Sequence, residues 1–186
     1  MTERPTDILR DEHQQIEAVL QVLDDLAEEA RRGPFDRAKA GEILTFLREF
    51  ADRNHHGKEE RCLFPRLAQH GYGPELGPVA VMLHEHELGR QFLRQMGSAL
   101  DEPEAEGAAR RFADAANGYV QLLAHHIEKE NMILFRIAES LFDEDDQAAV
   151  KAGFDAVERE EMGDGARERL QALAGRIVSS SGKTSA

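Results

Sequence analysis

The chain is poor in residues that mark several large classes of protein. It has one cysteine, no tryptophan and two tyrosines in 186 residues. One cysteine excludes an intramolecular disulfide framework and suits a reducing compartment. Positive charge is in deficit, with 23 Lys and Arg against 36 Asp and Glu and a formal charge of -13. That balance offers no basic face for phosphates, which argues against a general nucleic-acid or anionic-membrane binder. No apolar run approaches the ~18 residues needed to span a bilayer. The start, Met1-Thr2-Glu3-Arg4-Pro5, lacks the apolar stretch of a secretory signal. These absences predict a cytoplasmic protein with neither membrane nor nucleic acid as partner. Strand patterns are missing too, since no period-2 run of β-branched residues stands between turns.

What is present is helical spacing of apolar residues almost throughout. A first helix is predicted from Thr6, as N-cap, to about Arg32, where Gly33-Pro34 stops it. A second covers about 36–69, kinked or shortened by Pro65, before the loop 70–74. A third covers about 77–100 and a fourth about 105–141. Asp143 to Asp146 cap a fifth, about 145–178, weakened near Gly163-Asp164-Gly165. Long helices with short connections predict an all-α fold, an antiparallel up-down-up-down four-helix bundle with an extra C-terminal helix. The expected division is a bundle over 1–142, a helical extension over 143–178, and a disordered Ser-rich tail over 179–186. The extension is a candidate surface for self-association.

The unusual positive feature is eight histidines. Two segments align without a gap: His55 to Phe64 and His126 to Phe135. They share His, Lys, Glu, Leu and Phe at five of ten positions, a His-x-x-Lys-Glu-x-x-x-Leu-Phe repeat. His and Glu four apart lie on one helix face, one turn from each other. A fainter echo links Glu12-His13 with Glu85-His86. Helical periodicity puts His13 among Leu9, Ile16 and Leu20, and His55 and Glu59 between Ala51 and Leu63. His86 falls between Met82 and Leu93, and His126 and Glu130 between Leu122 and Ile133. Two carboxylates buried on apolar faces without partners would cost several kcal/mol each. A bound metal removes that cost. The other four histidines read as surface or loop. His56 shares a 3.6-residue face with Glu49, Arg53 and Glu60, His84 and His125 face polar neighbours, and His70 lies in the glycine-rich loop. Cys62 reads as a buried inert thiol.

Six ligands, His13, His55, Glu59, His86, His126 and Glu130, are too many for one tetrahedral zinc. Imidazole and carboxylate without thiolate suit iron or manganese. The order His, His-x-x-x-Glu, His, His-x-x-x-Glu over four helices resembles the hemerythrin-like (HHE cation-binding) domain over about residues 6–141. The resemblance implies a four-helix bundle holding two non-haem iron ions, oxo- or hydroxo-bridged, rather than manganese or zinc. It implies Glu59 and Glu130 as bridges and the four histidines as terminal ligands.

The chain departs from the oxygen-carrying members at two points. Met82 stands where they place a further histidine, one turn before His86, and the fourth-helix spacing ends in Glu130 rather than a more distant Asp. Two octahedral irons offer twelve positions. Four histidines fill four, two bridging carboxylates four and an oxygen bridge two, leaving two for a small molecule. The expected ligand is therefore oxygen, peroxide or nitric oxide, with Tyr119 placed either to hydrogen-bond it or as plain core. A non-enzymatic oxygen or iron sensor, a reversible oxygen binder and an iron reservoir are the alternatives, and whether the chain is an enzyme is left open.

Overall fold

Helix α1 (Pro5–Arg32) begins on a proline whose missing N–H costs nothing in a first turn. The carboxylate of Asp7 accepts from the backbone N–H of Arg4, so the cap is Arg4 and not Thr6. The Thr6 hydroxyl instead donates to Glu139, 2.8 Å away. The computed structural model describes residues 3–103, 105–163 and 165–181, with the side chain of 181 excepted. Among them there is no strand, and the architecture is a helical bundle.

The second rod is continuous but not uniform. Its α2 part (Arg37–Phe46) starts at Asp36, whose side chain accepts from Lys39 N–H. Leu47–His56 and Glu59–Leu63 then wind as π-helix, here π1 and π2, before α3 (Phe64–Gln69). In π2 the Glu59 carbonyl accepts from Phe64 N–H, five residues on. The widened turn ends directly before Pro65, which has no N–H to give, and the rod continues to the predicted end at Gln69. Helix α4 (Pro78–Asp101) follows Gly77, which takes φ +87°. Helix α5 (Ala108–Lys129) starts after Gly107 at φ +73°, three residues later than predicted. It passes through a third π turn, π3 (Glu130–Leu134), into α6 (Phe135–Leu141).

The expected fifth helix is two. Helix α7 (Glu144–Met162) has Asp143 as N-cap, accepting from Asp146 N–H at 2.8 Å. Gly163 and Gly165, both at φ +70°, separate it from α8 (Ala166–Ser181), because a left-handed backbone cannot continue a helix. Residues 179–181, expected in the tail, lie in α8, and 182–186 fall outside the described residues.

Two apolar clusters make the core. The larger joins α1, α2, π1, α4, α5 and α8, including Leu23, Phe46, Phe50, Phe112 and Ile177. The smaller gathers Leu9, Leu63, Phe64, Met82, Phe135 and Phe154. Each such side chain contributes about 1.5–3 kcal/mol on full burial. Along every ligand-bearing rod the chain leaves one cluster and enters the other. It runs Leu9, His13, Ile16; Ala51, His55, Glu59, Leu63; Met82, His86, Leu93; Leu123, His126, Glu130, Leu134. A polar layer is thus enclosed between two apolar ones.

Candidate metal centre

All six residues singled out on the core stripes reach this layer, and each is at most 1% exposed. Each glutamate spans it. Glu59 Oε1 lies 3.8 Å from His55 Nε2, and its Oε2 lies 3.4 Å from His86 Nε2. Glu130 Oε2 lies 3.2 Å from His13 Nε2, and its Oε1 lies 3.3 Å from His126 Nε2. None of these four carboxylate oxygens is in a well-formed hydrogen bond. Buried polar atoms are rarely left this way, because each costs about 1–3 kcal/mol or more.

The opposite ring nitrogens are all occupied. His13 Nδ1 donates to the Asn131 side-chain oxygen at 3.1 Å, and His55 Nδ1 to Glu12 at 3.0 Å. His86 Nδ1 donates to Glu60 at 2.7 Å, and His126 Nδ1 to Glu85 at 3.0 Å. This fixes the tautomer in each ring and turns the Nε2 lone pair inward. The consequence is sharpest where His86 Nε2 and His126 Nε2 stand 3.2 Å apart. With both Nδ1 atoms protonated, two lone pairs face each other unless a cation or a proton comes between.

Burial and crowding of like groups perturb the ionisable side chains of this layer strongly. Burial and the facing charge of Glu130 drive the Glu59 carboxyl well above its usual range. Burial alone would lower His126, but the Glu130 carboxylate and the bond to Glu85 outweigh it and raise it to about 9. Burial takes His55 down to about 4. Burial also works against ionised Glu12, yet His55 and the Lys58 ammonium bring it down to about 2. Lys58 is itself buried and bonds Glu12 on one side and Glu158 of α7, at 3.2 Å, on the other. Glu12, Glu60 and Glu85 therefore serve the histidines from behind. Sequence reasoning noticed them only as neighbours of histidines. Glu12 and Glu85 stand directly before an inward histidine and Glu60 directly after Glu59, a placement that periodicity alone does not mark as buried support.

Periodicity misplaced one residue. His56, expected on a solvated face, is 3% exposed and belongs to the layer. The reason is local: in π1 a turn takes more than four residues, so a face drawn at 3.6 drifts and two consecutive histidines both turn inward. Its ring stacks on His86 with centroids 3.9 Å apart. The other three histidines are outside the layer as expected. His84 is exposed, His125 donates to its own helix at Gln121, and His70 pairs with Asp146 at 2.8 Å. Tyr119 is fully buried with its hydroxyl unpartnered, and burial pushes that hydroxyl's ionisation far up. Cys62 is half-buried rather than buried, and burial raises its thiol.

Two overlapping sets of four could each hold a metal ion. One is His56, Glu59, His86 and His126, and the other is His13, His55, Glu59 and Glu130. Within each set the ligand atoms lie within 4.8 Å of one another. The family model of the hemerythrin HHE cation binding domain matches residues 4–138.

The chain belongs to the hemerythrin HHE cation-binding family. Among curated proteins, it is similar to the iron-sulfur cluster repair protein YtfE of Pectobacterium carotovorum subsp. carotovorum (strain PC1). The two are 30% identical over 119 residues, which is 59% of this chain and 53% of the relative. YtfE of Escherichia coli O81 (strain ED1a) is 32% identical over 96 residues, 50% of this chain and 43% of the relative. The chain spans about half the length of these relatives. No helix among the described residues is long and apolar enough to cross a membrane.

Proposed function

We propose that this hemerythrin-family chain is a non-haem di-iron protein that binds or reacts with a small oxidant in the core of its bundle. The ligands are His13, His55, His86 and His126 with Glu59 and Glu130 as bridges. The observation that carries the reading is the arrangement of the two glutamates. Each sends one oxygen toward the His13 and His55 side and the other toward the His86 and His126 side, and no donor satisfies any of the four. A pair of cations shared by two carboxylates accounts for all of this at once. Iron fits the imidazole and carboxylate donor set, which has no thiolate. Bound iron supplies redox-active coordination positions for oxygen, peroxide or nitric oxide.

The protein's own groups perform the rest. The Nδ1 acceptors hold four imidazoles in one tautomer and raise their basicity. The apolar layers above and below exclude bulk water. The rods pass between the two apolar clusters in alternate senses, which supports an up-down-up-down order. The division near residue 142 into a metal-holding bundle and a helical extension, a cytoplasmic location, and self-association through the extension belong to the same proposal.

Metal analysis of protein produced with ample iron should return about two irons per chain, with near-ultraviolet charge-transfer bands. Glu59→Ala and Glu130→Ala should lose the bands and most of the metal. Metal-free wild-type protein under those conditions overturns the reading. Peroxide consumption that vanishes in either variant identifies turnover, while reversible oxygen spectra without turnover identify a binder. The relatives' printed role favours a second reading, in which the centre acts in iron–sulfur cluster repair. Regained activity of a nitric-oxide-damaged iron–sulfur enzyme on adding the iron-loaded chain, and not the Glu130→Ala variant, is its test.

A further inference from the structure

One polar member of the repeat has no place in the ligand set: its lysine. In each copy it stands three residues after the histidine, on the same helix face. Both lysines make the same kind of contact. Lys58 Nζ donates to one oxygen of Glu12, and His55 Nδ1 donates to the other at 3.0 Å. Lys129 Nζ donates to one oxygen of Glu85, and His126 Nδ1 donates to the other at 3.0 Å. Each carboxylate comes from another helix, α1 or α4, and is clamped between the histidine and the lysine of one copy. The copies differ in what holds the lysine. The Lys129 side chain is 36% exposed, and Glu85 is its one ion-pair partner among the described residues. Lys58 is 1% exposed, and a buried ammonium is stable only when well paired. Its second carboxylate is Glu158 of α7, at 3.2 Å, which also accepts from Arg167 of α8 at 3.1 Å. Both helices lie beyond residues 4–138, the part matched by the family model. The other ion pairs of α7 with the bundle, such as Arg61 with Glu160 and Arg66 with Asp146, do not continue to a histidine of the layer.

We propose that Lys58 is a positioning residue through which the C-terminal extension controls metal retention on the His13 and His55 side of the centre. The contacts run in series: Glu158 holds Lys58, Lys58 holds Glu12, and Glu12 holds His55. With α7 docked, the ammonium is shared between two carboxylates and cannot swing away from Glu12. His55 is then kept in one orientation and one tautomer. With α7 lifted, Lys58 loses its outer counter-charge and meets water, so its long stem is free to carry the ammonium outward. Glu12 and His55 lose their fixed geometry, and the metal on that side leaves more readily. On the opposite side Lys129 already meets solvent and has no partner in the extension, so that metal does not respond. Helix α7 is thus a retention strap for one metal of the pair. The coupling is reciprocal: the factor by which docking tightens metal binding is the factor by which metal tightens docking.

This role rests on the di-iron reading, and one set of measurements tells the two apart. The full iron-loaded chain is compared with Lys58→Met, Glu158→Gln, the double variant and Arg61→Gln, and transfer of iron to EDTA is followed. Lys58→Met is expected to speed the loss of one iron of the two by about 10–100-fold and to change one of the two Mössbauer signals. Glu158→Gln should act on the same iron by a smaller factor, and the double variant should be no faster than Lys58→Met. Arg61→Gln removes an exposed pair of the same helix and should match the wild type. Iron loading should slow hydrogen exchange of the α7 amides in the wild type but not in Lys58→Met. Wild-type release and spectra in both Lys58→Met and Glu158→Gln would overturn the strap and leave the di-iron reading intact. Faster loss of both irons, or an equal effect of Arg61→Gln, would mean general loosening and overturn it too. Fewer than two irons in the wild type would overturn both readings. Should Lys58→Met fail to fold, Glu158→Gln and the wild-type exchange decide, and α7 exchange indifferent to iron counts against the strap.

Discussion

Glu59 and Glu130 show how a single side chain can be a liability and a requirement together. Without metal, Glu59 is a fully buried carboxyl with no hydrogen-bond partner, facing a second carboxylate. Glu59→Leu should therefore stabilise the metal-free chain, by roughly 1–3 kcal/mol, while preventing a bridged pair. Urea denaturation of both metal-free proteins measures this, and a less stable variant would count against the carboxylate's being unsatisfied. After iron loading the order should invert, since metal binding adds its free energy only to the wild type. The groups behind the histidines act more gently. Glu85→Ala removes the acceptor from His126 Nδ1 and should weaken iron binding by about 10–100-fold with the fold retained, as read by competition with a chelator. The four inward histidines and two glutamates were legible because each interrupts an apolar stripe. Glu12 and Lys58 were not, because a buried ion pair 46 residues apart leaves no mark on local periodicity.

At the scale of elements, the two repeats were legible as chemistry but not as geometry. The pattern from His55 to Phe64 and from His126 to Phe135 predicted that both rods carry ligands. It did not predict that both widen into π-helix at the glutamate, where Glu59 and Glu130 accept from Phe64 and Phe135 five residues on. A 3.6-residue template missed His56 for a related reason, because His56 ends the longer π-helix π1, which also turns wider. The extension was legible as helix, and its break at Gly163 and Gly165 as a weakness. Its placement was not. Helix α7 lies directly over π1 and π2: a Cβ at Gly57 would stand 3.4 Å from Val157, and one at Gly153 only 2.7 Å from the Cys62 sulfur. Phe154 is buried in the smaller apolar cluster beside this seam. Phe154→Ala should cost about 3–5 kcal/mol and lower the melting temperature of the whole chain in one transition. A separate early transition for α7 alone, seen by hydrogen exchange, would show that the extension is not coupled to the ligand-bearing rods.

The molecule as a whole carries a formal charge of -13, and most of its acidic side chains face water. Like charges at that density repel within the compact state. Moderate salt should therefore raise the melting temperature, an effect that scanning calorimetry at a series of sodium chloride concentrations measures. A fall across the whole series would mean that surface ion pairs outweigh the repulsion. The all-helical class was legible from absences as much as from patterns, since no strand signal competed. That α8 would supply Leu170, Leu173 and Ile177 to the main core was not legible, because those residues read equally well as a free amphipathic face.

Lys58 gives this charge balance a second side. The contacts of α7 with π2 at the rim, Arg61 with Glu160 and Glu161, are exposed and open to counterions. At about 1 M salt the Debye length falls to ~3 Å, and such pairs lose most of their attraction. Lys58 is 1% exposed and grips Glu12 where counterions cannot follow. In brine the rim should loosen while the lysine still links Glu158 of α7, through Glu12, to His55. The protein's inner wiring is insulated from the ionic composition of its surroundings.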